Sequence, residues 1–514
     1  MQLKIGLLQP EPGWKLLLDQ IGVWWEPGID FSTPLEEHYS LIIINGEISG
    51  TAQVKQLQSY LEGGGAVLDL GHFLNRIADF RVGRTFKKTF YTEALDFYTP
   101  DQPMDIYRNI WLHPEGKLCE GAIHREKIGD GAAVFLGLEV APLMVDERAS
   151  YKEFYTSGNA PPNEHVSLVS KNEIRKLVHG LMKWLHISRD IPFVHKWHLP
   201  DGANNLALFR VDTDFGTKEE IDELAELAHD HEIPVSWFLH VEAHENWLEN
   251  FTHFETDELA LHGYKHRATD SFKANAKNIE RGLEELQKIN VNPEGYASPY
   301  GFWNPSIAKA IHKHGFLYSS EFSYSHDTLP FYAESYRPDY NLMQIPVHPI
   351  CIGSFRRLKT GEEEITHYFL NLIERKRRQF EPVVLYHHPK DGHHKILSGL
   401  FEMINNLNFK KATFYKYARW WQQRQETDFS ARVIDGRTEI TQHQNNRPLT
   451  VAEHRSSDEL VLWQSDQKGN FNTLRRESFE PVDSIQVEDL KKIRGFKPYL
   501  IKQSVLDFIN RLKT

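Results

Sequence analysis

Between residues 206 and 425 short apolar runs alternate with helix-length amphipathic segments, and this alternation constrains the fold more than any other feature. Apolar periodicity predicts helices over 218–229, 272–289, 305–314, 361–380 and 395–407, each following a strand-like run. Repeated βα units of this size predict parallel strands wrapped by helices, a distorted (β/α) barrel. Side chains just past the C-terminal ends of such strands converge on one mouth, so the residues at the run ends are the candidate site.

Asp212 and Asp214 close one run, in FRVDTDFG. Strand alternation lets 212 and 214 share a face that 213 does not. Their competing roles are structural: Asp214 as cap of the helix near 218, or both as turn residues before Gly216. His262 and His266 stand four apart in LALHGYKH, after the run 259–261. With 27 His in 514 residues, about one or two such spacings arise by chance. His240 and His244, in WFLHVEAH, share the spacing. Ala297-Ser298-Pro299-Tyr300 is a third segment, with a plain turn as its competing role. His387 and His388 follow the run 383–386, and His348-Pro349 follows 343–347 as a further candidate for the same mouth. Carboxylates and imidazoles gathered together are the donor set of a mononuclear zinc-type site.

These segments, in this order, resemble the polysaccharide deacetylase family, carbohydrate esterases that remove N-acetyl groups from amino sugars. The resemblance covers 206–425, under half of the chain. It implies a general base at Asp212 and metal ligands at Asp214, His262 and His266. It implies an oxyanion-binding amide at Tyr300 and a general acid at His387 or His388, His388 being favoured by the His-Pro that follows the strand. His240 and His244 fall on a strand that the resemblance leaves without ligands. Ala297 stands where the family usually has an Arg that orients the catalytic Asp. Arg210, two residues before Asp212, is the candidate substitute, and Arg210, Pro299 and Trp303 are expected to line the substrate. The implied cofactor is a divalent metal, Zn2+ first, and the implied reaction is hydrolysis of an N-acetylated saccharide. Two other functions stay open: hydrolysis of another non-peptide C–N bond such as a cyclic amide, or carbohydrate binding on a degenerate barrel.

Residues 1–190 read as an open parallel α/β sheet domain, with strands at 3–8, 41–45, 66–70 and 132–138 and helices at 52–61 and 171–185. Gly63-Gly64-Gly65 precedes a strand and so ends a helix; a phosphate loop would follow a strand. This segment loosely resembles the class I glutamine amidotransferase-like fold. Gly71-His72-Phe73 follows the 66–70 run, with no Cys where those enzymes carry their nucleophile, which implies a scaffold or binding role. The turn-rich stretch 187–205 reads as a linker, giving a central domain at 191–427. Residues 428–514 read as a small β-rich accessory domain with a C-terminal helix, in which Trp463 and Phe471 pack rather than stack on sugar.

A chain with 40% hydrophobic and 12% aromatic residues has ample material for packed cores. A net charge of −12 without a basic run argues against a nucleic-acid partner. Cys119 and Cys351 are too few for a disulfide framework and read as buried small hydrophobes. No apolar stretch approaches the roughly 18 residues of a membrane span. The opening MQLKIGLLQPEPGW reads as a first strand rather than a signal peptide, so a cytoplasmic location is expected.

Overall fold

The computed structural model describes residues 1–514 except 78–80, 115, 117–118, 159–160, 334–340, 359, 444–446, 481, 495–504 and 506–514. It divides into two compact units. The first gathers Met1–Val145, Val169–Gly202 and Gln422–Val487; the second gathers Asp146–Leu168, Ala203–Trp421 and Glu488–Thr514. Each unit thus gathers segments that lie far apart in the sequence.

In the first unit a six-stranded sheet runs in the order Trp25–Pro27, Ile5–Leu7, Leu41–Ile44, Ala66–Asp69, Gly131–Leu136, Ile123–Ile128, among the described residues. All neighbours are parallel except the last pair. Leu41–Ile44 and Ala66–Asp69 are buried throughout, as strands covered on both faces must be. Helices Pro12–Ile21, Thr51–Glu62 and Lys171–Ile187 belong to the same unit. After Ala66–Asp69 the Asp69 carboxylate accepts from the amides of His72, Phe73 and Leu74, which fixes the turn.

The stretch expected to be a linker contains the strand Phe193–Lys196, which is buried and pairs antiparallel with Thr450–His454. Glu459–Ser465 and Phe471–Ser478 extend that ladder. Leu3, Val194, Phe429, Ala431, Leu449 and Val451 form one apolar cluster, with Phe471 packed against it. Residues 428–487 therefore pack into the first unit's core. Their strands are completed by partners more than 250 residues away, which no local pattern reveals.

In the second unit the strand order is Phe331–Ala333, Leu342–Gln344, Tyr318–Ser319, Gly295–Tyr296, Glu258–Leu261, Val235–Leu239, Leu206–Asp212, Val383–His387, with Lys410–Lys411 also on Leu206–Asp212. Every pairing is parallel except the first. Among the described residues the ladder does not close, so the sheet is a curled half-barrel rather than the expected barrel. Strands of two residues at Gly295–Tyr296 and Tyr318–Ser319 leave few ladder bonds on that side. The parallel order still brings residues 212–214, 240, 262, 297–300 and 387–388 to one edge. Helices Lys218–Asp230, Phe272–Lys288, Pro305–Lys313, Glu362–Arg378 and His394–Asn406 follow the predicted segments. No described helix is long and apolar enough to cross a membrane.

Candidate active site

All seven residues of Leu206–Asp212 are buried, Arg210 completely. Arg210 and Asp212 share a strand face, and the guanidinium takes both carboxylate oxygens: Nε to Oδ1 at 2.6 Å and Nη2 to Oδ2 at 2.7 Å. Arg210 Nη1 also donates to the Ser320 carbonyl at 2.7 Å. Burial alone would raise the Asp212 pKa, but Arg210 and then His262 outweigh it and hold the carboxyl below its usual value. Beyond the strand, Asp214 turns into the left-handed region at φ 42°. Thr217, not Asp214, caps the following helix, in a capping box with Glu220. The Asp214 side chain is free to face the histidines.

Gly263, at φ 93°, lets the chain turn sharply after His262; a Cβ there would lie 2.9 Å from Asn278 Nδ2 and 3.0 Å from the Lys265 carbonyl oxygen. His262 Nε2 and His266 Nε2 come to 3.3 and 3.1 Å from Asp214 Oδ1. His262 Nδ1 lies 2.8 Å from the Ala297 carbonyl oxygen. A carbonyl only accepts, so Nδ1 carries the proton and Nε2 presents a lone pair toward Asp214. Asp214 Oδ1 is buried and receives no hydrogen bond. Two imidazole nitrogens and a carboxylate oxygen converge within 4.8 Å, which fits a divalent ion of the zinc type. The Ala297 carbonyl is the kind of outer partner that orients a ligating imidazole. Burial opposes ionisation of Asp214, yet His388 and the two histidines keep its carboxyl well below the ordinary range.

His240 is not in this donor group. Its Nδ1 donates to the Asp214 carbonyl at 2.7 Å, and its Nε2 accepts from the His266 amide at 3.1 Å. It ties together the two loops that carry the candidate ligands Asp214 and His266, a part that its decoy spacing concealed. His244 is buried against Trp247, with neither ring nitrogen hydrogen bonded.

The Pro-Tyr segment is a tight turn with Tyr300 at φ 62° and Gly301 at φ 57°. A Cβ on Gly301 would sit 2.4 Å from the Phe322 ring. The Tyr300 ring lies against His266, with centroids 4.6 Å apart. Glu321, which the sequence did not single out, holds this turn from below. It accepts from the Ser298 amide at 3.1 Å, the Ser319 hydroxyl at 2.7 Å and Gln344 Nε2 at 3.0 Å.

The two histidines after Val383–Tyr386 part company. His387 is the last strand residue, fully buried beside Phe209, with no hydrogen bond to either ring nitrogen, and burial drives its pKa to about 3. Strand alternation turns it from the mouth, which removes it as the acid. His388 lies past the strand, with Nε2 3.9 Å from Asp214 Oδ2 and Nδ1 3.1 Å from Asp391 Oδ2. Burial would lower its pKa, but Asp214 and the Asp391 hydrogen bond raise it well above the ordinary 6.5.

Three residues expected to line substrate are instead buried supports. Arg210 is occupied by Asp212, Pro299 forms the turn, and Trp303 packs on Tyr324 while donating to Glu147 at 3.3 Å. His348, expected at the mouth, is buried between Asp327 and Tyr368. Phe215, which the sequence gave no reason to choose, is 51% exposed beside Asp214, its ring edge-on to His240 and His266. The signal was available: an aromatic residue directly after a candidate ligand.

No protein-family model and no curated protein matches the chain. Solved structures with partial likeness include a protein assigned as a polysaccharide deacetylase from Mycobacterium smegmatis, at 18% identity over 45% of this chain and 94% of that one, with a TM-score of 0.37. They include the allantoinase PuuE, at 14% identity, 44% and 93% coverage and a TM-score of 0.37. A CE4 family pseudoenzyme from Bacillus anthracis is similar at 12% identity, 41% and 65% coverage and a TM-score of 0.31. Polysaccharide deacetylases are thus among the structural neighbours of this chain, each of these overlaps spanning less than half of it.

Proposed function

We propose that the chain is a metal-dependent hydrolase that removes the acetyl group from an N-acetylated amino sugar. The observation that carries this is the convergence of Asp214, His262 and His266 beside an arginine-clamped Asp212 and an aspartate-backed His388. A divalent ion bound by the first three supplies Lewis acidity toward the amide carbonyl and lowers the pKa of water at the site. Asp212, held ionised and immobile by Arg210, takes the proton of the attacking water. The Tyr300 amide is the candidate donor to the oxygen that becomes negative as the carbonyl is attacked. His388, oriented through Nδ1 by Asp391, protonates the leaving nitrogen. Acetate and a free amine are the products. Phe215 offers an apolar face of the kind that sugar rings stack on.

The test is an acetate-release screen of metal-reconstituted protein over free and oligomeric N-acetyl sugars, with cyclic amides in parallel. Release that disappears on chelation, and in Asp214→Ala, His262→Ala and His266→Ala together with bound metal, supports the proposal. Turnover of cyclic amides alone replaces the substrate class. Saccharide binding without turnover by metal-loaded protein replaces the enzyme with a binding protein.

A further inference from the structure

Within the first unit a second group of histidines converges, from residues that the hydrolase reading does not use. Phe193–Lys196 pairs with Thr450–His454 in the register His195 to Ala452 and Phe193 to His454, so His195 and His454 are diagonal neighbours on one sheet face. Their rings stack at 5.3 Å and 20°, with Nε2 facing Nε2 at 3.1 Å. Helix Lys171–Ile187 delivers His179 edge-on to both, at 5.1 and 5.9 Å between centroids. One nitrogen from each of the three lies within 4.8 Å of the others. His195 and His454 are each 2% exposed.

However the ring protons are placed on neutral His195 and His454, one nitrogen of the pair is left unmatched. His195 Nδ1 lies 3.0 Å from the Lys196 carbonyl oxygen, so it is the protonated nitrogen and Nε2 holds a lone pair toward His454. His454 Nδ1 is buried with no hydrogen bond. If His454 carries its proton on Nε2, a lone pair is stranded at Nδ1. If it carries the proton on Nδ1, a donor is stranded and two lone pairs face each other. Either arrangement costs about 1–3 kcal/mol for the orphaned group. Protonating the rings is no remedy. Burial first, then neighbouring His195, Lys183 and His198, hold His179 and His454 well toward the neutral form, with Arg175 adding to the effect on His179. Neutral imidazoles with inward lone pairs are metal donors, and the Lys196 carbonyl orients His195 as such a donor is normally oriented.

We propose that His179, His195 and His454 bind a late first-row divalent ion, Zn2+ in the simplest case, as a three-imidazole site with an open fourth position. The cluster contains no carboxylate, and Arg175 and Lys183 bear on it electrostatically. A hard cation held by charge alone gains little here. Ions that bond strongly to imidazole overcome that field, so the site selects Zn2+, Cu2+ or Ni2+ over Mg2+ and Ca2+. Three segments distant in sequence are clasped, so binding stabilises the first unit by mass action.

The test uses tag-free, chelator-stripped, full-length protein carrying Asp214→Asn, His262→Ala, His266→Ala and Cys351→Ser, so that the two other donor groups, Asp214 with His262 and His266 and Cys351 with His388 and Asp391, are disabled. Zinc added in excess and then dialysed should leave one ion per chain, raise the melting temperature, and not be replaced by Mg2+. Adding His179→Ala, at a half-buried position, or His195→Ala should lower zinc affinity by more than about 100-fold and abolish the melting shift. Cu2+ bound to the quadruple variant should show nitrogen hyperfine coupling from three imidazoles, falling to two in His179→Ala. No ion in the quadruple variant, or an ion and a copper spectrum indifferent to His179→Ala, overturns the proposal. Should His195→Ala fail to fold, the His179→Ala count and spectrum still decide it.

Discussion

Arg210 stands two residues from Asp212 on a buried strand face, and this closeness explains how a site without an arginine at position 297 keeps its carboxylate oriented. Asp212→Asn leaves Asp214 and both histidines in place. Metal content should therefore stay near that of the parent while kcat falls about 10²–10⁴-fold; undiminished turnover would end the assignment of Asp212 as base. Arg210→Met strands a buried carboxylate, so a smaller kcat loss of about tenfold should accompany a stability loss of about 3–5 kcal/mol. His240 teaches a different lesson. Spacing alone made it a rival ligand, and the resemblance made it dispensable. Its two hydrogen bonds to the Asp214 and His266 backbones predict that His240→Ala weakens metal binding about 10–100-fold without abolishing it. Equilibrium titration with a metal indicator measures this, and unchanged affinity would reduce His240 to packing. Ligand chemistry was legible because it resides in residue type and spacing. Support was not, because it resides in contacts between loops.

Strand ends were also legible, since apolar runs stop where the chain leaves the sheet: Asp212, Leu261 and His387 each close a strand. What holds the turns beyond them was not. Glu321 lies under the Pro-Tyr turn with a pKa raised to about 7. Burial raises it, and the donors from Ser319, Gln344, Ser298 and the field of Arg210 recover only part of the cost. Its ordinary value is 4.5, so the folded protein binds this proton more tightly than the unfolded chain does. The stability it contributes is fully present below pH 4.5 and is lost as pH rises toward 7. The loss is on the order of 3 kcal/mol. Glu321→Gln lacks this titration. Paired unfolding curves should show the stability of the parent relative to the variant falling steadily between pH 5 and 7. A difference that does not change with pH would mean that Glu321 is ionised throughout.

At the scale of the whole molecule, βα alternation gave five helices of the second unit to within a residue or two, because it is a local pattern, but it missed Val241–His244 and Phe414–Glu426. Closure of the sheet and the assignment of segments to units depend on pairings across hundreds of residues, which no local pattern carries: the sheet curls into a half-barrel, and each unit gathers segments distant in sequence. The first unit shows why. The Leu3 amide donates to the Ala431 carbonyl at 2.8 Å, and Phe193–Lys196 has Thr450–His454 as its partner. Arg424, buried, donates to the carbonyls of Ile21, Lys196 and Trp197. A chain ended after residue 427 would keep Arg424 but lose Phe429, Ala431, Leu449 and Val451 from the shared apolar cluster. Exposing Leu3 and Val194 alone costs about 3–6 kcal/mol, a large part of the roughly 5–15 kcal/mol that holds a domain folded. The unpaired 193–196 strand adds an open edge. The 1–427 truncation should therefore be poorly soluble, and its 1–202 portion should be cut by protease at concentrations that the full chain resists. A truncation as protease-resistant as the full chain, with the same unfolding midpoint, would restore residues 428–514 as a separable accessory domain.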